Sequence, residues 1–176
     1  MTADAGVLVI EDDADVQRAA RIALSEHFAR IETRSSAAGV EDLLATAAFD
    51  VVLLDMNFVV GERSGNAGLD ALARILAADR TLAVVLMTAY GGVSLAVDAL
   101  KRGAADFVLK PWRNDKLVAA VNAAAAATRA RRAAETLDLD VIERALAQHD
   151  GNISLAAAAL GLSRPALYRR MTKHGL

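Results

Sequence analysis

Four apolar runs in this chain each end at a residue able to handle a phosphoryl group. Val7 to Ile10 runs into Glu11, Asp12 and Asp13; Val51 to Leu54 into Asp55; Ala83 to Met87 into Thr88; and Phe107 to Leu109 into Lys110 and Pro111. Clustered carboxylates repel one another unless a cation lies between them. Hard oxygen donors at a shallow site suit Mg2+, which keeps several waters and takes only one or two carboxylates plus a phosphate. A lysine and a threonine are donors suited to phosphoryl oxygens, and an aspartate there can act as a nucleophile that forms an acyl phosphate.

These residues converge only if the runs are neighbouring strands. The runs are rich in Val and Leu, as parallel strands buried on both faces require, with a weaker fifth at Arg30 to Thr33. Segments of helical spacing lie between them: Val16 to Phe28, Val40 to Ala48, Leu69 to Ala77, Val93 to Leu100, and Leu117 onward. The alternation predicts an α/β domain, a doubly wound five-stranded parallel sheet, with helices on both faces. In such a sheet, ligands bind beyond the carboxyl ends of the strands, where the polar residues fall.

The segment from Val121 to Glu135 has no Pro or Gly and reads as the last helix of this domain running into a linker. Three shorter helical patterns follow: Leu139 to His149, Ser154 to Leu160 and Arg164 to His174. Turns at Asp150 to Asn152 and Gly161 to Ser163 separate them. Ser163 is placed to cap the last helix, with Pro165 in its first turn. The final pair is expected to form a small all-α helix-turn-helix.

Composition agrees with this division. The formal net charge of -2 hides a split: residues 1–128 carry 12 basic and 17 acidic side chains, and residues 129–176 carry 8 and 5. An acidic module joined to a basic one suggests a polyanion partner for the second. The absence of cysteine excludes disulfides, thiolate metal sites and a thiol nucleophile. The opening MTADAGVLVIEDDADV lacks the basic start of a signal peptide, and the longest uncharged stretch, Thr81 to Val97, is too short to span a membrane. A cytoplasmic protein with no membrane partner is expected.

The segments VLVIEDD, VVLLDMN, VVLMTAY and GAADFVLKPW resemble the receiver domain (flavodoxin-like) of two-component response regulators. HDGNISLAAAALGLSRPALYRRMTKHGL is similar to the Fis-type helix-turn-helix that ends many nitrogen-regulation-type activators. The resemblance implies a receiver at residues 1–125, a helical linker at 126–137 and a DNA-binding domain at 138–176. Asp55 would accept the phosphoryl group from a sensor histidine kinase. Mg2+ would be held by Asp12, Asp55 and the backbone carbonyl of Asn57, with Glu11 acting through water. Lys110, before a cis Pro111, would pair with the phosphate; Thr88 and Phe107 would be the switch hydroxyl and aromatic. Asp13 reads as a helix cap. No catalysis is expected beyond the self-phosphotransfer and autodephosphorylation typical of receivers.

Two departures accompany the resemblance. The stretch from Asp55 to Gly68 is longer than the usual receiver spacing, and the loop Phe58 to Gly68 is either a neutral insertion or one that tunes phosphate lifetime or partner access. Nitrogen-type activators also carry an ATPase between the two modules, and no G-x-x-x-x-G-K-[ST] occurs here.

Arg164, Tyr168, Arg169 and Arg170 are the expected DNA-binding residues of the last helix. Arg164 and Tyr168 share a face, and an arginine can grip guanine bidentately in the major groove of double-stranded DNA. A module this small is expected to act as a homodimer, with Leu139 to His149 in the contact. Trp112 reads as a packing residue, Tyr90 as either a packing residue or a gate for water beside the site, and His27, His149 and His174 are too dispersed to form a metal site. Two alternatives remain open. One is a haloacid-dehalogenase-type phosphatase, which wants a second aspartate where Asn57 stands. The other is a receiver whose C-terminal helices serve dimerisation or protein interaction.

Overall fold

The computed structural model describes residues 6–56, 66–89 and 93–176, apart from the side chains of Asn66 and Val93. Its elements run β1 (Gly6–Ile10), α1 (Ala14–Leu24), β2 (Arg30–Arg34), α2 (Val40–Thr46), β3 (Val51–Asp55), α3 (Asn66–Ala78), β4 (Ala83–Ala89), α4 (Val93–Lys101) and β5 (Asp106–Lys110). They continue with α5 (Asn114–Gln148), α6 (Ile153–Ala159) and α7 (Arg164–His174). The five strands pair in the order β2-β1-β3-β4-β5, every pair parallel, as the apolar runs predict.

Side-chain alternation along the central strands builds two cores, one on each face of the sheet. Val7, Val9, Val51, Leu53, Val85 and Met87 pack with Ala20 and Leu24 of α1 and with Leu117 and Val121 of α5. Leu8, Ile10, Val52, Leu54, Val84 and Leu86 face the other way, onto Val40, Leu72, Ile75 and Ala99 of α2, α3 and α4. Each fully buried Leu or Val contributes about 1.5–3 kcal/mol. Both faces of the sheet are therefore occupied by apolar contact, and the polar groups are left to its edge.

Three strands reach one or two residues further than the apolar runs. Asp55, Thr88 and Lys110 are rungs of the ladder, opposite Met87, Leu109 and Ala89. Parallel pairing uses backbone N–H and C=O groups whatever the side chain, so it carries on past the last apolar residue. The consequence is functional: these three polar side chains leave from strand backbone and not from loops.

The chain divides into two compact units, residues 1–129 and 130–176. The linker pattern and the Leu139 to His149 pattern prove to be one helix, α5, because nothing between Asn114 and Gln148 breaks it. In the second unit, Ile142, Ala145, Ala156, Ala157 and Leu167 form a small core, flanked by Leu160, Leu162 and Met171. Asn152 caps α6 and Ser163 caps α7, with Pro165 in the first turn and Gly175 in the left-handed conformation (φ 75°) closing the last. The turn between α6 and α7 passes through Gly161 at φ 66°, a conformation glycine adopts without strain.

Candidate functional site

Strand ends of β1, β3 and β5 bring three of the expected groups together. The Lys110 ammonium donates to Glu11 Oε2 at 2.5 Å and to Asp55 Oδ1 at 2.8 Å. Glu11 and Asp55 are almost fully buried, 1% and 3% exposed, whereas Asp12 faces solvent. Burial pushes the Glu11 carboxyl up, and the nearby Asp55 adds to this, against the Lys110 hydrogen bond. For Lys110 burial works downward, but the hydrogen bonds to Asp55 and Glu11 prevail and hold its pKa above the ordinary value. The ammonium therefore remains charged at neutral pH and offsets two buried carboxylates.

Glu11, Asp12 and Asp55 each offer a carboxylate oxygen within 4.8 Å of the others. That donor set is all hard oxygen, with one member open to water. It fits Mg2+, which sheds its hydration shell reluctantly. Asn57, the fourth expected ligand, lies outside the described residues, as do Tyr90 and residues 58–65 of the extended loop.

Thr88 is fully buried, and its hydroxyl donates to the Ala89 carbonyl at 3.4 Å. Phe107 is partly buried against the core beneath α4. Asp13 caps α1, accepting from the amides of Asp15 and Val16 at 2.8 and 3.2 Å. Trp112 packs against the core beneath α5 and, with Val16, Ala19 and Pro111, lines an open groove of about 590 Å3 beside Lys110. The Lys110–Pro111 peptide bond is cis.

Gly68 holds the far side of this edge. A Cβ there would stand 2.8 Å from both the Cα and the carbonyl oxygen of Met56, the residue after Asp55. Backbone atoms cannot yield as a side-chain tip can. Gly68→Val is therefore expected to displace the end of β3 and destabilise the fold by about 1–3 kcal/mol. A denaturant titration checks it: an unchanged midpoint would contradict the close approach.

In the second unit, Arg164, Tyr168 and Arg169 are exposed on α7. The Arg164 guanidinium lies over the Tyr168 ring, 5.6 Å from its centroid, and donates to its hydroxyl at 3.4 Å. Arg164 and Arg169 pair with no carboxylate among the described residues. Arg170 is placed differently: it donates to Asp138 Oδ1 at 3.0 Å, while His174 Nε2 lies 3.0 Å from Asp138 Oδ2. Asp138 carried no local sequence signal, because its partners lie 32 and 36 residues away.

Comparison with known proteins finds two family matches along the chain. Residues 7–122 match the response regulator receiver domain, and residues 132–174 match the Fis family of bacterial regulatory proteins. The alginate biosynthesis transcriptional regulatory protein AlgB of Pseudomonas putida is 35% identical over 111 residues, which are 63% of this chain and 24% of that protein. The chain thus spans about a quarter of that relative's length. The transcriptional regulatory protein FixJ of Bradyrhizobium diazoefficiens is 28% identical over 144 residues, covering 82% of this chain and 68% of its own. Among solved structures, a two-component receiver domain from Bacteroides fragilis superposes with a TM-score of 0.63 at 39% identity. It covers 69% of this chain and 97% of its own. NtrX from Brucella abortus gives 0.66 at 27%, covering 76% and 29%. With its parallel sheet and its C-terminal helix-turn-helix, this chain belongs to the response regulator receiver-domain family, joined directly to a Fis-family segment.

Proposed function

We propose that this protein is a phosphorylation-dependent DNA-binding response regulator that accepts its phosphoryl group on Asp55 from a sensor histidine kinase. The observation that carries the reading is the Lys110 ammonium held between Asp55 and Glu11 at a strand edge. In the transfer, an Asp55 carboxylate oxygen attacks phosphorus, the phosphorus–nitrogen bond to the donor histidine breaks, and an acyl phosphate forms. Lys110 is the cation positioned to meet the incoming phosphoryl oxygens, since it already lies on Asp55. Glu11 and Asp12, with Asp55 and Asn57, would hold Mg2+. When bound, the ion offsets the charge gathered between carboxylates and phosphoryl oxygens. The groove lined by Trp112 and Val16 flanks Lys110 and offers a docking face for the kinase.

Phosphorylation adds about -1.5 to -2 charges and three acceptor oxygens. Thr88, on the neighbouring strand, is the hydroxyl that would turn toward them, and Phe107 the aromatic that would follow. The second unit would read double-stranded DNA as a homodimer. Arg164 and Tyr168 are proposed at base edges, Arg169 at bases or phosphate, and Arg170 on the flank of the helix. No described helix is long and apolar enough to cross a membrane; a cytoplasmic location accords with a DNA target.

DNA footprinting with and without a beryllofluoride mimic tests both halves and their coupling. A footprint strengthened by the mimic is expected, and one indifferent to it would separate the two units functionally. The metal has its own test. The thermal midpoint is expected to rise on adding Mg2+, by the equivalent of about 2.7 kcal/mol at a hundredfold excess over Kd. Asp12→Asn is expected to abolish most of that rise; an equal rise in wild type and variant would place the ion elsewhere.

A further inference from the structure

We propose that Asp138 is a positioning residue for the recognition helix, acting through Arg170 and His174, and that Arg170 is consequently not a DNA contact. This rests on the DNA-reading function proposed for α7. Arg170 and His174 are one helical turn apart, so one carboxylate accepting from both holds α7 along its axis as well as around it. The His174 side chain is only 9% exposed, and a buried ring nitrogen is expected to have a partner. Asp138 supplies it.

The arrangement on the helix gives the same division. At 3.6 residues per turn, Leu167 and Met171 mark the face on the core, and Arg169 points away from it. Arg164 and Tyr168 occupy one flank, Arg170 and His174 the other. The first flank meets no carboxylate among the described residues. The second meets Asp138, and the adjoining Lys173 meets Glu135 at 3.0 Å. A helix entering a groove with Arg164, Tyr168 and Arg169 toward DNA therefore turns Arg170 toward α5.

Directional contact matters here because the apolar core is small. Hydrophobic burial is non-directional and specifies rotation poorly when only Leu167 and Met171 anchor the helix. Charge-assisted hydrogen bonds are directional and stronger than neutral ones. The Asp138 carboxyl is held below its ordinary pKa, first by the His174 hydrogen bond and then by Arg170 and Lys173 despite some burial, so it is ionised at neutral pH. The Glu135–Lys173 pair is exposed on both sides and contributes little.

The test uses the full chain and two probes: a duplex that the wild-type chain selects from a random library, and an unselected random-sequence duplex. Asp138→Asn is expected to weaken binding to the selected duplex roughly five- to tenfold. Binding to the random duplex should be unchanged or tighter, because one negative charge leaves. The specificity ratio therefore falls, which neither simple unfolding nor simple charge removal produces. Arg170→Ala is expected to give the same loss, and the double variant no further loss. The slope of log affinity against log salt should stay at its wild-type value in Arg170→Ala, and should drop by about 0.9 in Arg169→Ala if that side chain meets a phosphate. The inference is overturned if Asp138→Asn moves both affinities together, or if Arg170→Ala lowers the slope by a full phosphate contact. A wild-type chain that selects no duplex overturns the DNA reading itself, and this inference with it.

Discussion

Asp55→Asn is expected to take up no phosphoryl group from acetyl phosphate and Mg2+, under conditions where the wild-type chain is labelled. The amide has nearly the shape of the carboxylate but lacks its nucleophilic charge, so the geometry survives while the chemistry is lost. Folding should survive as well. Asp55 and Glu11 are two buried carboxylates sharing one ammonium, and neutralising one removes a like-charge repulsion along with an attraction to Lys110. The substitution should therefore leave the thermal midpoint near or above the wild-type value while labelling, followed by intact mass, falls below detection. If Asp55→Asn is still labelled, the acceptor is another residue, and Asp12 is the first to examine because it is the exposed member of the trio.

The second large effect concerns the C-terminal unit. Arg164→Ala with Arg169→Ala is expected to weaken binding to a selected duplex by at least about 1–3 kcal/mol, the range for one well-made base contact at Arg164, with a further loss from Arg169 at a base or a phosphate. Neither side chain pairs with a carboxylate among the described residues, so their removal should not unfold the unit: its helices rest on Ile142, Ala156, Ala157 and Leu167. Arg164→Ala also removes the guanidinium from the Tyr168 ring, which is 43% exposed and would lose its orientation. Titration by fluorescence anisotropy at several salt concentrations provides the readout. Retained affinity would favour the reading in which the C-terminal helices hold another protein.

The fold is largely legible in the sequence, for a definite reason. Buried parallel strands need unbroken Val and Leu runs, and these stand out against helices whose large apolar residues recur every three or four positions. Asp13, Ser163 and Gly161 were equally readable, because caps and tight turns are made within three or four residues of chain. The merging of the linker with the next helix was less visible. An uninterrupted helix has no marker of its own, and alanine-rich sequence gives little sign of which side is covered.

The site divides along the same line. Residue types at the strand ends are a local property, and from them the sequence establishes that carboxylates, a hydroxyl and an ammonium share one edge of a parallel sheet. Which of them touch is a matter of register and depth. Only the folded chain puts Lys110 on both Glu11 and Asp55, leaves Asp12 in solvent, and sets Gly68 against the backbone of Met56. Likewise the sequence determines that α7 is basic, while the tertiary structure decides that Arg170 faces Asp138 and Arg169 does not. Periodicity and capping arise from contacts a few residues apart and are written in the order of the chain. Pairings such as Lys110 with Glu11, 99 residues apart, depend on how distant elements pack, and no short stretch of sequence contains them.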